Sequence, residues 1–278
     1  MPQHLLLIHC ADQPGLIHTI TGVLFRRGFN IINNQEFVET AGNQFFMRTE
    51  FAGGPDPAAA LAELQSLLPA GADVRLAVAA ARPIVILATK EPHCLGDLLL
   101  RHAYGELPAR IAAVVSNYDT LAPLARQFEI PFVHVSHLGC ERAEHEAALA
   151  HAIAPFEPEY LILAKYMRVL SPDFVARWPR RIVNIHHSFL PAFVGANPYR
   201  QAYERGVKII GATAHYVTAD LDQGPIIAQG VQPVDHSYSH ADMAQAGREV
   251  EKLVLAKALR LVLEERVFVY GNRTVVFE

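Results

Sequence analysis

RIVNIHHSFLPAFVGANPY, residues Arg181 to Tyr199, is the stretch on which the fold and the chemistry of this chain both turn. Its apolar positions Ile182, Val183 and Ile185 predict a short β-strand, with Asn184 and His186 set into the run two residues apart. Neighbours at i and i+2 on a strand point to one face about 7 Å apart, so an amide and an imidazole emerge side by side where the strand ends. A second stretch, GATAHYVTADLDQGPII from Gly211 to Ile227, carries His215 on a strand and ends its polar part at Asp222, just before the turn residues Gly224 and Pro225. An amide donor, an imidazole and a carboxylate suffice for chemistry at a carbonyl carbon.

Upstream of this strand the sequence alternates strongly. Ile84–Ala88, Ile111–Ser116, Phe132–Val135 and Tyr160–Ala164 read as strands, with helices at Gly96–Ala103, Leu121–Phe128 and Glu141–Ala154 between them and a helical turn at Pro172–Trp178. Such alternation predicts an α/β fold, a Rossmann-like and mostly parallel sheet covered on both faces, with ligands at the carboxyl ends of the strands. Downstream, Lys208–Val217 and Ile226–Val234 predict further strands. Asp242–Glu265 predicts a long helix with Val250, Leu253, Val254, Ala258, Leu261 and Val262 on one stripe, and the tail predicts a hairpin around Gly271 and Asn272.

The first eighty residues follow another plan. Strand His4–Cys10, helix Leu16 to Gly28, strands Asn30–Phe37 and Phe45–Phe51, helix Ala58–Leu68 and strand Val74–Val78 give the order βαββαβ. That order predicts a ferredoxin-like antiparallel sheet with both helices on one face. With Ala79–Pro83 as a hinge, the expected domains are 1–82 and 83–278.

The chain has 278 residues, 51% of them hydrophobic, which is ample for two cores. A net charge of −4 without a basic run disfavours nucleic acid and anionic membrane as partners. Cys10, Cys94 and Cys140 lack metal or disulfide spacing, and neither an export signal nor a membrane-spanning run is apparent, so a cytoplasmic protein is expected. The adjacent His186 and His187 would face opposite ways on a strand and have no second ligand cluster, so no metal is expected. Taken singly, Asn184 could cap a strand, His186 could be a core histidine, Asp222 a turn residue and His215 a structural neighbour. Jointly, the two stretches favour a site.

Residues 4 to about 80, and DQPGLIHTITGVLFRRGFNI above all, resemble the ACT domain, a module that binds amino acids at interfaces between subunits. The resemblance implies a regulatory site at Asp12, Gly15 and Leu16, with Asn30 and Ile31 beside them, an effector such as glycine or methionine, and a homo-oligomer. Read as structure alone, Gly15 makes a tight turn, Asn30 starts a strand, and the module serves assembly only.

Residues 84 to 278 resemble the folate-dependent formyltransferase domain through NIHHSFLPAF and LDQGP. This implies that Asn184, His186 and Asp222 surround the formyl group of 10-formyltetrahydrofolate. LAKYMRVL, Leu163–Leu170, resembles the folate-contacting segment, implying substrate contacts by Met167, Arg168, Val169 and Leu170, with His215 shaping the pocket. Where glycinamide ribonucleotide formyltransferases carry a glycine-rich phosphate loop, this chain has ATKEPHCLGDLL, with one glycine and a glutamate. A methionyl-tRNA formyltransferase would need a basic surface and an RNA-binding module, and this chain offers neither. Together with the ACT-like start, KEPHCLGDLL, LAKYMRVL and HHSFLPAFVGANPY resemble the formyltetrahydrofolate deformylases over nearly the whole chain. That implies hydrolysis to tetrahydrofolate and formate, with water as nucleophile, no cofactor, and formate supplied to one-carbon and purine metabolism. The alternatives are a glycinamide ribonucleotide-type formyltransferase and a non-catalytic folate or amino-acid sensor.

Overall fold

The computed structural model describes residues 3–77, 81–191 and 198–278. Val78, the first part of the expected hinge and residues 192–197 of the opening stretch lie outside the described residues. The chain divides into two compact units, one of Met1–Ala80, Glu264–Tyr270 and Val275–Glu278, the other of Ala81–Leu263 and Gly271–Thr274.

The first unit runs β1 (Gln3–Ala11), α1 (Leu16–Arg26), β2 (Phe29–Glu39), β3 (Gln44–Gly53), α2 (Pro57–Leu67) and β4 (Asp73–Ala77). Its sheet has the order β2-β3-β1-β4 and every pair is antiparallel, as the βαββαβ pattern predicts. Alternation along β1 sends Leu6, Ile8 and Cys10 into a core with Ile20, Val23 and Leu24 of α1 and Leu64 of α2. Asp56 caps α2, its carboxylate accepting from the Ala59 amide at 2.9 Å.

The second unit runs β5 (Arg82–Ala88), α3 (His93–Ala103), β6 (Ala109–Ser116), α4 (Ala122–Gln127), β7 (Phe132–His134), α5 (Arg142–Ile153), β8 (Tyr160–Ala164), α6 (Pro172–Val175), β9 (Ile182–His186), α7 (Pro198–Glu204), β10 (Ile209–Tyr216), β11 (Ile226–Pro233) and α8 (His240–Leu263). The strand order is β11-β10-β9-β8-β5-β6-β7. Strands β5 to β9 are parallel, and β10 runs antiparallel to both β9 and β11. Ile84 to Ala88 are all buried, as expected of a parallel strand covered on both faces. The chain steps from β5 to β6 and β7 on one side, then returns to β8 and β9 on the other. The carboxyl ends of β5 and β8 therefore form the crevice where such sheets hold ligands. No helix among the described residues is long and apolar enough to cross a membrane.

Two features depart from expectation. The tail, β12 (Val267–Tyr270) and β13 (Arg273–Val276), was expected in the second domain, but residues 264–270 and 275–278 join the first unit. The cause is the second face of the first sheet, where Leu7 and Phe46 are buried by Phe268 and Phe277, and where Arg48 donates to the Glu264 and Glu265 carbonyls at 3.2 Å. Leu253, expected on the buried stripe of α8, is 62% exposed, and Glu251 is buried in its place.

The tail is thus part of the first core. Replacing Phe268 by Ala is expected to destabilise that unit by about 3 kcal/mol, read as an earlier urea transition by circular dichroism. An unchanged transition would show that the tail only rests on the sheet.

Candidate active site

The end of β9 presents Asn184 and His186, and β10 supplies their neighbours. Antiparallel register sets His215 opposite Asn184 and Thr213 opposite His186. Against β11 the register shifts between Ala214 and His215, where Ile227 of β11 is the extra residue, while the pairing of His215 with β9 stays regular. His215 Nδ1 lies 2.9 Å from the Tyr216 carbonyl, an acceptor, so Nδ1 carries the hydrogen and Nε2 has a free lone pair. Asn184 donates to that lone pair from Nδ2 at 3.2 Å, which fixes the orientation of its amide. Thr213, wholly buried, donates to the Ser188 carbonyl and accepts from the Leu190 amide, pinning the chain that follows His187.

Asp222 arrives from the turn after β10. Its φ of 56° lies in the left-handed region, which Asp tolerates better than most residues. Two residues on, a Cβ on Gly224 would fall 1.7 Å from the Tyr216 carbonyl oxygen, so only glycine lets the turn close against β10. The carboxylate then sits 3.3 Å from His186 Nδ1 and 3.7 Å from His215 Nε2. Burial pushes its pKa up, but the His186 imidazole outweighs burial and holds the carboxyl well below the usual range. His186 Nε2 is buried with no hydrogen-bond partner among the described residues.

These groups line a cavity of about 520 Å³ at the carboxyl ends of β5, β8 and β9. Met167 through Leu170 all border it. Met167 and Val169 are 58% and 54% exposed on the cavity wall, whereas Leu170 belongs to the core. The Met167 amide donates to Thr89 Oγ1 at 2.9 Å, tying this segment to the end of β5.

A second constellation borders the same cavity, and its centre was not among the expected residues. Glu251 of α8, 0% exposed, binds His93 Nε2 at 2.7 Å, the Tyr199 hydroxyl at 2.5 Å and Lys165 Nζ at 3.3 Å. Burial raises its pKa, yet these partners bring it down to about 2. The signal was present in the sequence, since Glu251, Val254, Leu255 and Ala258 fall at helical spacing on one stripe, and a carboxylate on a buried stripe needs partners. His93, Cys94 and Glu251 place three metal-ligating atoms within 4.8 Å, but the Lys165 ammonium already neutralises the carboxylate, and burial pushes the Cys94 thiol up. Burial likewise lowers His187 to about 4, keeping it neutral.

The expected amino-acid site is less coherent. Asp12 and Gly15 lie in the turn before α1, and Leu16 points into the core at 4% exposure. Asn30 and Ile31 pair with Ala52 and Phe51, whereas Ala11 pairs with Gln44 at the other end of β3. Eight residues of strand, about 27 Å, separate the two sets, so one chain does not bring them together.

The chain matches the formyl transferase family over residues 82–259 and the ACT domain family over residues 4–69. It is 58% identical to a formyltetrahydrofolate deformylase of Escherichia coli over 267 residues, which span 96% of this chain and 95% of that one. It is 53% identical to the Haemophilus influenzae protein of the same name, covering 98% of both. A crystal structure of a formyltetrahydrofolate deformylase from Pseudomonas syringae superposes with a TM-score of 0.95 at 38% identity, covering 100% of this chain and 95% of that one. With its fold, both of its domains and nearly its whole length so matched, the chain belongs to the formyltetrahydrofolate deformylase family.

Proposed function

We propose that the chain hydrolyses 10-formyltetrahydrofolate to tetrahydrofolate and formate, and that Asn184, His186 and Asp222 carry the reaction. The observation that supports this reading most is the placement of Asp222 between two imidazoles, beside Asn184, on the wall of a cavity that also exposes Met167 and Val169. The folate rings would pack on those apolar side chains, with Arg168 and Leu170 completing the segment and His215 holding the Asn184 amide. The formyl oxygen would accept from Asn184 and from the unpartnered nitrogen of His186. Water oriented by Asp222 attacks the formyl carbon and gives its proton to the carboxylate. The oxyanion draws on both donors, one of which can be worth about 3 kcal/mol. Collapse breaks the bond to N10, which takes up a proton through His186, and formate leaves.

The formate would feed one-carbon and purine metabolism. The ACT unit would sense an amino acid such as glycine or methionine, and since Asp12 and Gly15 lie far from Asn30 and Ile31 in one chain, the two sets would meet only across copies in a homo-oligomer.

Replacing Asp222 by Asn keeps the side chain's shape and removes the base. Formate release is expected to fall by on the order of 100-fold or more while equilibrium binding of the folate persists; turnover near wild type would remove Asp222 from the mechanism. The wild-type protein should release formate from 10-formyltetrahydrofolate in buffer alone, and a strict need for an added amine acceptor would make it a transferase. Gly224→Ala must displace the turn that carries Asp222. It should therefore lower formate release with the folate affinity largely kept, and equal loss of both would place Gly224 in folding instead.

A further inference from the structure

The hairpin expected around Gly271 and Asn272 has no part in the hydrolysis as argued above, yet its tip, Gly271–Thr274, belongs to the second unit. Two side chains of this tip reach the turn that carries Asp222. Asn272 Nδ2 donates to the Gln223 carbonyl at 2.9 Å, and Thr274 Oγ1 donates to the Ile226 carbonyl at 2.5 Å. The first bond lands on the residue after Asp222. The second lands on the residue of β11 that pairs with His215 of β10. The donors lie 49 and 48 residues further along the chain, so neither bond is a local turn contact.

The sheet explains why the Ile226 carbonyl is within reach. Pro225, just before the edge strand β11, turns its carbonyl to the Tyr216 amide of β10 at 2.9 Å. Successive carbonyls of an extended chain point to opposite sides, so that of Ile226 faces away from β10. The turn is thus held from two directions. Gly224 lets it close on the Tyr216 carbonyl, and the tip fastens Gln223 and Ile226 on either side of Gly224 and Pro225. Asp222 needs such bracing, because a left-handed φ of 56° on a residue other than glycine costs energy and persists only where its surroundings impose it.

We propose that Asn272 and Thr274 are positioning residues for the hydrolysis: by fixing Gln223 and Ile226 they set the place of the Asp222 carboxylate against His186. This inference rests on the hydrolytic reading above, in which Asp222 orients the water. A shift of about 1 Å at a reacting group is enough to cost much of the rate. The folate segment, residues 167–170, is tied instead to Thr89 at the end of β5 and keeps its contacts.

Asn272 is exposed and water can replace part of its bond, whereas Thr274 is half buried, so both donors are removed together in the test. Thr274→Val keeps the side chain's shape without the donor, and Thr274→Ser keeps the donor. For N272A/T274V, T274V and T274S, three quantities are compared with wild type: formate release at saturating 10-formyltetrahydrofolate, equilibrium affinity for tetrahydrofolate, and hydrogen exchange of the amides of residues 223–228. In N272A/T274V the rate should fall by on the order of tenfold or more with the affinity kept. Exchange at 223–228 should quicken by on the order of tenfold or more while β5 and β8 keep theirs. T274V should show the same changes to a smaller degree, and T274S should match wild type. Unchanged exchange or an undiminished rate in the double variant, equal losses of rate and affinity, or a T274S as impaired as T274V each overturn the proposal. If the double variant does not fold, T274V against T274S decides by the same readings. Absence of formate release by wild type would instead overturn the hydrolytic reading, with the exchange comparison still judging whether the tip holds the turn.

Discussion

The site depends on the pairing of β9 with β10. Because β10 runs antiparallel, His215 lies across from Asn184 and fixes its amide, while Thr213 lies across from His186 and pins the chain beyond it. A slip of one residue would turn His215 to the other face of the sheet and send Thr213 away from Ser188. Asp222 depends on the same strand at one remove, since its turn closes only where Gly224 meets the Tyr216 carbonyl. Backbone register, more than any single side-chain contact, therefore sets the distances among the three proposed catalytic groups.

Burial raises the pKa of two of the cavity's carboxyls, Asp222 and Glu251, and the protein treats them differently. Asp222 keeps 15% of its side chain exposed and its imidazole contacts are long, 3.3 and 3.7 Å. Glu251 is closed off and its hydrogen bonds are short, 2.5 and 2.7 Å, with an ammonium added. A group that must take a proton from water needs spare lone pairs and access, which Asp222 retains. Glu251 has neither, so a fixed charge suits it better than a proton relay. Both carboxyls are depressed in the folded state. Their pairing therefore contributes stability above the ordinary carboxylate range, and that contribution is lost as pH falls towards the folded values.

Much of this was legible in sequence, for physical reasons that can be named. Strands buried on both faces read as unbroken apolar runs, as Ile84–Ala88 does, and polar residues inside such a run, Asn184 and His186, stand out because burying them is costly. What the sequence hid are contacts between distant segments. Leu7 and Phe46 look like ordinary alternation until Phe268 and Phe277 are seen to cover them, so the tail was given to the wrong unit. LDQGP reads as a turn, but the close approach that demands Gly224 involves a carbonyl eight residues earlier. Helix α7 went unassigned because PYRQAYE is too short to show a period, and Glu251 was passed over because its stripe was drawn through Leu253, one position out of phase.

Hydrolysis and transfer differ at the formyl carbon only in what arrives there. An amine acceptor must be bound and aligned, and its remote groups supply the binding energy for that. Water needs no such site, but a hydrolase must deny its rivals theirs. A cavity of about 520 Å³ is of the size that holds one small organic ligand, so the folate itself would occupy much of it. His93 and Lys165 are taken up by Glu251, while Arg168 and Arg248 also line the cavity. The same three groups, Asn184, His186 and Asp222, would serve either reaction, and the choice between them would then lie in what the rest of the wall binds.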